Sequence, residues 1–331
     1  MLTTDALETI LAAIPRLRIG VLGDLFLDRY LDIDPALTEP SLETRLDAYQ
    51  VVGVRSTPGA AGTVINNLAA LGVGAIPVIS VIGDDGEGYE LRQALARMPA
   101  VETNALFADR DRRTPTYTKP MLGGRELNRI DIKNRTRMSA DREAAVAGAL
   151  KAIWLSLDAL IVVEQVFRAA GVITFPVQHA LQRLATSKPA KIVLVDSRER
   201  INAYEDVHLK PNERECLEGV GSSNNVEVAA AVHARRAKRT VFCTLGARGI
   251  IVAEPTCDEP TLVPAVPVTG PIDPVGAGDS ADAAIACALA CGQPALVAAE
   301  FANLVASITI QQIGTTGTAT PAQIRSAHAA G

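Results

Sequence analysis

A chain of 331 residues, 48% hydrophobic and 21% charged, buries enough surface for one large core or two modest ones, which excludes disorder over most of its length. Lys and Arg number 32 against 37 Asp and Glu, a formal charge of −5, so no cationic field exists to hold a polyanion and nucleic acid is not the expected partner. Asp5 and Glu8 stand where a secretory leader carries basic residues, and no run reaches the ~18 apolar residues of a membrane span. The expectation is a soluble, cytoplasmic protein with no membrane partner. Its five cysteines read as reduced thiols, and His179, His208, His233 and His328 form no zinc motif.

In chain order, β-rich runs at Leu17–Gly23, Ala75–Gly83, Ala159–Glu164, Lys191–Asp196 and Thr240–Leu245 alternate with stretches of helical length. This alternation predicts an α/β fold, a mostly parallel sheet with helices on both faces. Ile192 to Val195 is apolar throughout, as a central strand covered on both sides should be. Two stretches, 31–57 and 109–133, mix apolar and polar residues without helical period and predict a small half-exposed sheet projecting from a core of residues 1–30, 58–108 and 134–331. Arg248–Glu254 and Thr261–Val268 read as two further strands. A helix is expected from about Asp279 to Cys291, stopped by Gly292 and Pro294, and a last one through Phe301–Ile310.

The chemistry concentrates at Asp273-Pro-Val-Gly-Ala-Gly-Asp279, between a β pattern and an apolar helix. Gly276 and Gly278 let the chain turn tightly, so main-chain N–H groups of Gly276, Ala277 and Gly278 converge at the positive end of a helix, a phosphate site. A carboxylate there repels the same anion unless it has other work, and accepting a proton from an attacking hydroxyl is such work for Asp279. Helix capping is the plain alternative for an isolated Gly-Ala-Gly-Asp. Lys210-Pro-Asn-Glu-Arg-Glu215 adds Asn212 and Glu215, suited to hold Mg²⁺-bound water near a polyphosphate, and Thr244-Leu-Gly-Ala-Arg-Gly249 supplies glycines that let a nucleotide approach the backbone. Neither a Walker loop nor a dinucleotide fingerprint nor a protein-kinase His-Arg-Asp is present.

Asp273–Asp279 and Lys210–Glu215 resemble the two nucleotide motifs of the ribokinase/PfkB carbohydrate kinases. Gly23–Tyr30, Pro58–Val64, Asn67–Gly72, Val81–Gly88 and Asn128–Asp131 are similar to the branch that includes heptose-phosphate kinases. The resemblance spans nearly the whole chain. It implies a ribokinase-like three-layer αβα core whose small β sheet is a lid and dimer clasp, hence a homodimer, and transfer of the γ-phosphoryl group of ATP, with Mg²⁺ and in some members a monovalent cation, to a sugar or sugar phosphate. By the same resemblance Asp28, helped by Gly59 and Ala60, binds sugar hydroxyls; Thr63, Arg129 and Asp196 lie near the acceptor or phosphate; and Thr244, Gly246, Gly249, Asp273 and Asn303 surround the nucleotide. The sequence departs from the pattern where Ala60 replaces a glycine, Thr63 an asparagine, Pro274 a threonine and Glu164-Gln165 a Ser-Asp pair. Two alternatives stay open: a relative that binds sugar or nucleotide without turnover, and a nucleoside kinase on the same scaffold.

Overall fold

The structure, a computed structural model, describes residues 2–166, 170–221, 225–257 and 259–330. Its strands are β1 Ile19–Gly23, β2 Leu25–Pro40, β3 Asp47–Ala60, β4 Ile76–Gly83, β5 Val101–Asp109, β6 Thr116–Leu122, β7 Arg125–Glu126, β8 Ile130–Ile132, β9 Ala159–Glu164, β10 Ile192–Ser197, β11 His208–Leu209, β12 Val241–Thr244, β13 Ile250–Ala253 and β14 Thr261–Val263. The helices are α1 Thr4–Ala13, α2 Ala61–Leu71, α3 Gly86–Ala96, α4 Ala140–Ile153, α5 Phe175–Ser187, α6 Glu213–Glu218, α7 Val226–Ala237, α8 Ala277–Ala290, α9 Ala295–Thr309 and α10 Pro321–Ala330.

Among the described residues, nine strands form one sheet in the order β14-β13-β12-β11-β10-β9-β1-β4-β5. It is parallel from β12 to β5, and only β12-β13 and β13-β14 pair antiparallel. β10 sits in the middle, as its unbroken apolar run required. Alternate residues feed two cores: Leu194 packs with α1, α2, α8 and α9, whereas Val193 and Val195 pack with α4, α5 and α7. The result is three layers, with each face of the sheet sealed by helices.

Three expectations change in the structure. The strand from Thr261 stops at Val263 because Pro264 and Pro267 supply no N–H to a ladder. α9 begins at Ala295, six residues before Phe301, with Pro294 as its N-cap rather than only the end signal of α8. A further helix, α10, follows it and sends Ile324 into the core.

The second sheet, β3-β2-β6-β7 with β8 on β6, grows from the long hairpin 25–60. The register Arg29↔Thr118 and Tyr30↔Lys119 against β6 sorts its side chains into two faces. One carries Asp28, Tyr30, Tyr117 and Lys119, and the other Leu31, Val54 and Ile130. Arg29 and Ser56 tie the hairpin's base to Glu90 of α3, at 2.6 and 2.9 Å.

Candidate active site

Parallel strands end on the same side of a sheet, so the ends of β9, β10 and β12 line up there, where α/β folds collect ligands. A cleft of about 370 Å³ opens there. Its walls include Asp279 and the glycine loop, Asp196 at the end of β10, and Asn212 with Glu215. Thr244, Gly246, Gly249 and Asn303 complete the side away from the second sheet. These residues, read from separate sequence motifs, share one cavity.

The loop ends in α8 with Gly276 at φ +84°, a left-handed turn that glycine adopts without strain. A Cβ there would press on Thr316 at 3.3 Å and on the Thr63 methyl at 3.4 Å, so Thr63 packs behind the loop. Ala277, expected to offer its N–H to an anion, turns it to the Pro274 carbonyl at 3.1 Å, and Ser280 returns its own to Gly276 at 2.9 Å. The N–H groups of Gly276, Gly278 and Asp279 have no acceptor among the described residues. They head α8 with the positive end of its dipole, which fits a polyphosphate. Asp273 does not reach the cleft: its carboxylate accepts from Val275 at 3.1 Å and Gly314 at 3.0 Å and so shapes the loop from behind.

Asp279 is half-buried at the start of α8. Burial, and then the neighbouring Asp196 charge, push its carboxyl up to about 7 against the pull of Lys210 and Arg198. Lys210 is buried, with Nζ 2.9 Å from Asp196 Oδ2 and 3.4 Å from Asp282 Oδ2. Burial disfavours its charge, but those two carboxylates hold it well above the usual lysine value. Asp282, one turn beyond Asp279, is fully buried; burial pushes its carboxyl far up, and neither oxygen has a hydrogen-bond partner. Oxygen ligands from Asp196, Asp279 and Asp282 lie within 4.8 Å of one another.

Asn212 and Glu215 form a reciprocal cap on α6: the Asn212 side chain accepts from the Glu215 N–H and Glu215 Oε2 from the Asn212 N–H, both at 2.9 Å. Half of each side chain is thus structural. Burial and Asp196 raise the Glu215 carboxyl. An oxygen-rich wall of Asp196, Asp279 and the second Glu215 oxygen fits a hard divalent cation with its waters. Gly249, at φ +106°, lines the cleft, and the space of its absent side chain is filled by the Val263 carbonyl, 2.1 Å from where a Cβ would lie. Asn303 donates to the carbonyls of Val263 and Pro264 at 3.1 and 3.0 Å, fixing that edge.

The remaining expected residues lie on the second sheet and its junction with α2. Asp28 is buried with Oδ1 3.6 Å from Lys119 Nζ, and burial raises its carboxyl against the charges of Lys119 and Arg129. Gly59 makes room for it, since a Cβ would come 2.5 Å from Asp28 Oδ2. Ala60 caps α2 at φ 53°, ψ −119°, a conformation that suits glycine. Arg129 is exposed, stacks 4.0 Å over Tyr117 and pairs with Asp131 at 2.6 Å. Nearby, the buried Asp24 carboxylate accepts from the Gln165, Val166 and Val172 N–H groups at 2.7–2.9 Å and ties β1 to the loop after β9. Lys119, Arg198, Lys210 and Asp282 were not singled out from sequence. Only Asp282 left a signal there, a lone carboxylate in the Ala-rich run 281–288.

A parallel sheet with a helix-headed loop of free N–H groups at its strand ends, overhung by a second sheet, is the ribokinase-like fold. The chain belongs to the pfkB family carbohydrate kinases, whose model matches residues 27–323. The bifunctional protein HldE of Pelobacter propionicus is 31% identical over 98% of this chain and 66% of its own length, so the chain spans about two thirds of that relative. Phosphofructokinase-2 from Escherichia coli in complex with potassium superposes with a TM-score of 0.70 at 17% identity, over 95% of this chain and 99% of that one. A ribokinase II structure from Escherichia coli with ATP and Mg²⁺ gives 0.68 at 18% identity, over 95% and 100%. No helix among the described residues is long and apolar enough to cross a membrane.

Proposed function

We propose that this chain transfers the γ-phosphoryl group of ATP to a hydroxyl of a sugar or sugar phosphate, with Asp279 as general base. The observation that carries the reading is the pairing, in one cleft, of unbonded Gly276, Gly278 and Asp279 N–H groups with a carboxyl raised to about 7. Near neutral pH that carboxyl exchanges its proton readily, which suits a base that accepts a hydroxyl proton as the phosphoryl group moves. The free amides bind phosphoryl oxygens and stabilise charge that develops on them. Asp28, opened to the pocket by Gly59, orients acceptor hydroxyls, which a carboxylate can accept in pairs. Mg²⁺ held by Asp196 and, through water, Glu215 neutralises phosphate charge when bound. Residues 31–57 and 109–133 serve as a lid over a core of residues 1–30, 58–108 and 134–331. Val54 and Ile130, 60% and 62% exposed on the sheet face turned away from Asp28, form a clasp with a second copy. A monovalent cation beside the loop, as in the potassium-bound neighbour, belongs to the same proposal. Five free cysteines support a reducing compartment, the cytoplasm.

An ADP-release screen over sugars, sugar phosphates and nucleosides tests this. The expected result is turnover with at least one sugar or sugar phosphate, lowered ~100-fold or more in Asp279→Asn with the fold retained. Turnover with nucleosides alone would move the chain to the nucleoside-kinase reading. Thermal stabilisation by Mg-ATP without ADP release would make it a binding protein.

A further inference from the structure

Asp282 has no role in the mechanism above, yet it occupies an expensive position. It is fully buried on α8, one turn beyond Asp279, among Ala281, Ala283 and Ala284. Neither carboxylate oxygen has a hydrogen-bond partner; the Lys210 ammonium lies 3.4 Å away, and oxygens of the Asp196 and Asp279 carboxylates lie within 4.8 Å. A buried polar group with no hydrogen-bond partner is destabilising against an apolar residue of similar size. Such unsatisfied groups need an explanation, and functional sites are where they gather.

The explanation lies in where Lys210 is held. Its four-carbon stem has many rotamers, and Asp196 alone, at 2.9 Å, would draw the ammonium toward the end of β10. Asp282 Oδ2, 3.4 Å away, offers the ammonium a second oxygen from α8, the helix that carries the glycine loop. Between the two, Nζ rests just behind the loop, 3.6 Å from where a Cβ on Gly278 would stand. We propose that Asp282 is a positioning residue: with Asp196 it fixes the Lys210 ammonium against Gly278 at the head of α8, making a preorganised cation part of the site that receives the transferring phosphoryl group. This rests on the kinase reading. The closeness of Asp196, Asp279 and Asp282 then needs no metal between all three, because the lysine already supplies a cation there.

The test uses the full-length protein and Mg-ADP with or without aluminium fluoride, a mimic of the phosphoryl group in flight. The wild type should bind Mg-ADP about 10-fold or more tightly with fluoride present, whereas Asp282→Asn should keep its affinity for Mg-ADP and lose that gain to within about 2-fold. Lys210→Met should lose it equally, and the double variant should be no worse than Lys210→Met alone, because Asp282 acts only through the lysine. If Asp282→Asn fails to fold, Lys210→Met combined with Asp282→Leu removes both members of the Lys210–Asp282 pair and should fold while lacking the gain. Equal tightening in the wild type and Asp282→Asn, or losses that add in the double variant, would overturn the positioning role. A wild type that gains nothing from fluoride would overturn the kinase reading and the inference with it, an outcome distinct from the first.

Discussion

The ionisation of Asp279 ties catalysis and stability to pH in opposite directions. As a base it must be charged, so kcat/KM should climb roughly tenfold per pH unit below about 7 and level off above it. A profile already flat from pH 5 would remove Asp279 from that role. For stability, the folded carboxyl binds its proton more tightly than the unfolded one, from 3.8 up to about 7. Between those values the folded state holds more protons, so this group's contribution falls as pH rises and the fold is weakest, on its account, above 7. Asp279→Asn should therefore raise Tm by a few degrees at pH 8, roughly 2 kcal/mol or more, and by almost nothing at pH 4. Calorimetry at the two pH values reads the difference. Ala60 is the second residue whose backbone makes a prediction. At φ 53°, ψ −119° its Cβ is strained where glycine is not, and that strain exceeds the chain entropy a glycine adds. Ala60→Gly should stabilise the protein by up to ~1 kcal/mol, seen as a higher denaturant midpoint with an unchanged m-value.

At the scale of elements, α6 shows one motif performing two tasks. Asn212 caps the helix and also faces the cleft, and its two roles separate by side-chain length. Serine at an N-cap accepts the same N–H as asparagine, so Asn212→Ser should hold Tm to within about 1 °C, whereas Asn212→Ala should lose about 1 kcal/mol. If the amide also binds water around the metal, the serine variant raises KM for Mg-ATP several-fold despite its intact helix; an unchanged KM reduces Asn212 to a cap. This division explains what the sequence made legible. Local features survived: the apolar run of β10, the Gly-Ala-Gly-Asp turn into α8 and the Asn-x-x-Glu spacing each depend on residues within a few positions of one another. What stayed hidden was tertiary. Lys210 and Asp282 are 72 positions apart and meet only because β11, which leads into Lys210, lies beside β10, on which α8 packs, and the Gly249 backbone meets the Val263 carbonyl because β13 and β14 pair. The apolar Phe301–Ile310 run drew attention to the interior of α9, while its start, capped by Pro294, was masked by the stop signals of the helix before it.

At the scale of the whole molecule, the second sheet has two faces with different prospects. Toward the acceptor it is tied down: Lys119 lies 3.6 Å from Asp28 and 3.2 Å from the Tyr30 hydroxyl, and Phe26 meets Tyr117 edge-on at 5.2 Å. Its other face leaves Val54 and Ile130 open, on a sheet anchored to the core through Arg29, Ser56 and Glu90 at its base. A two- to five-stranded sheet gains little stability with an apolar face in water, so covering that face by the same face of a second copy would strengthen both lids at once. A closed two-fold contact has the further effect that each substitution is felt twice. Val54→Asp would place two carboxylates near the symmetry axis, and like charges losing water there cost several kcal/mol. Sedimentation velocity at micromolar concentration should show a dimer for the wild type and a monomer for Val54→Asp. The monomer should keep its cooperative core unfolding but raise KM for the acceptor more than for Mg-ATP, since the nucleotide side of the cleft is built from the nine-stranded sheet and α8. A wild type that sediments as a monomer, or a variant whose acceptor KM is unmoved, would separate the lid from dimerisation.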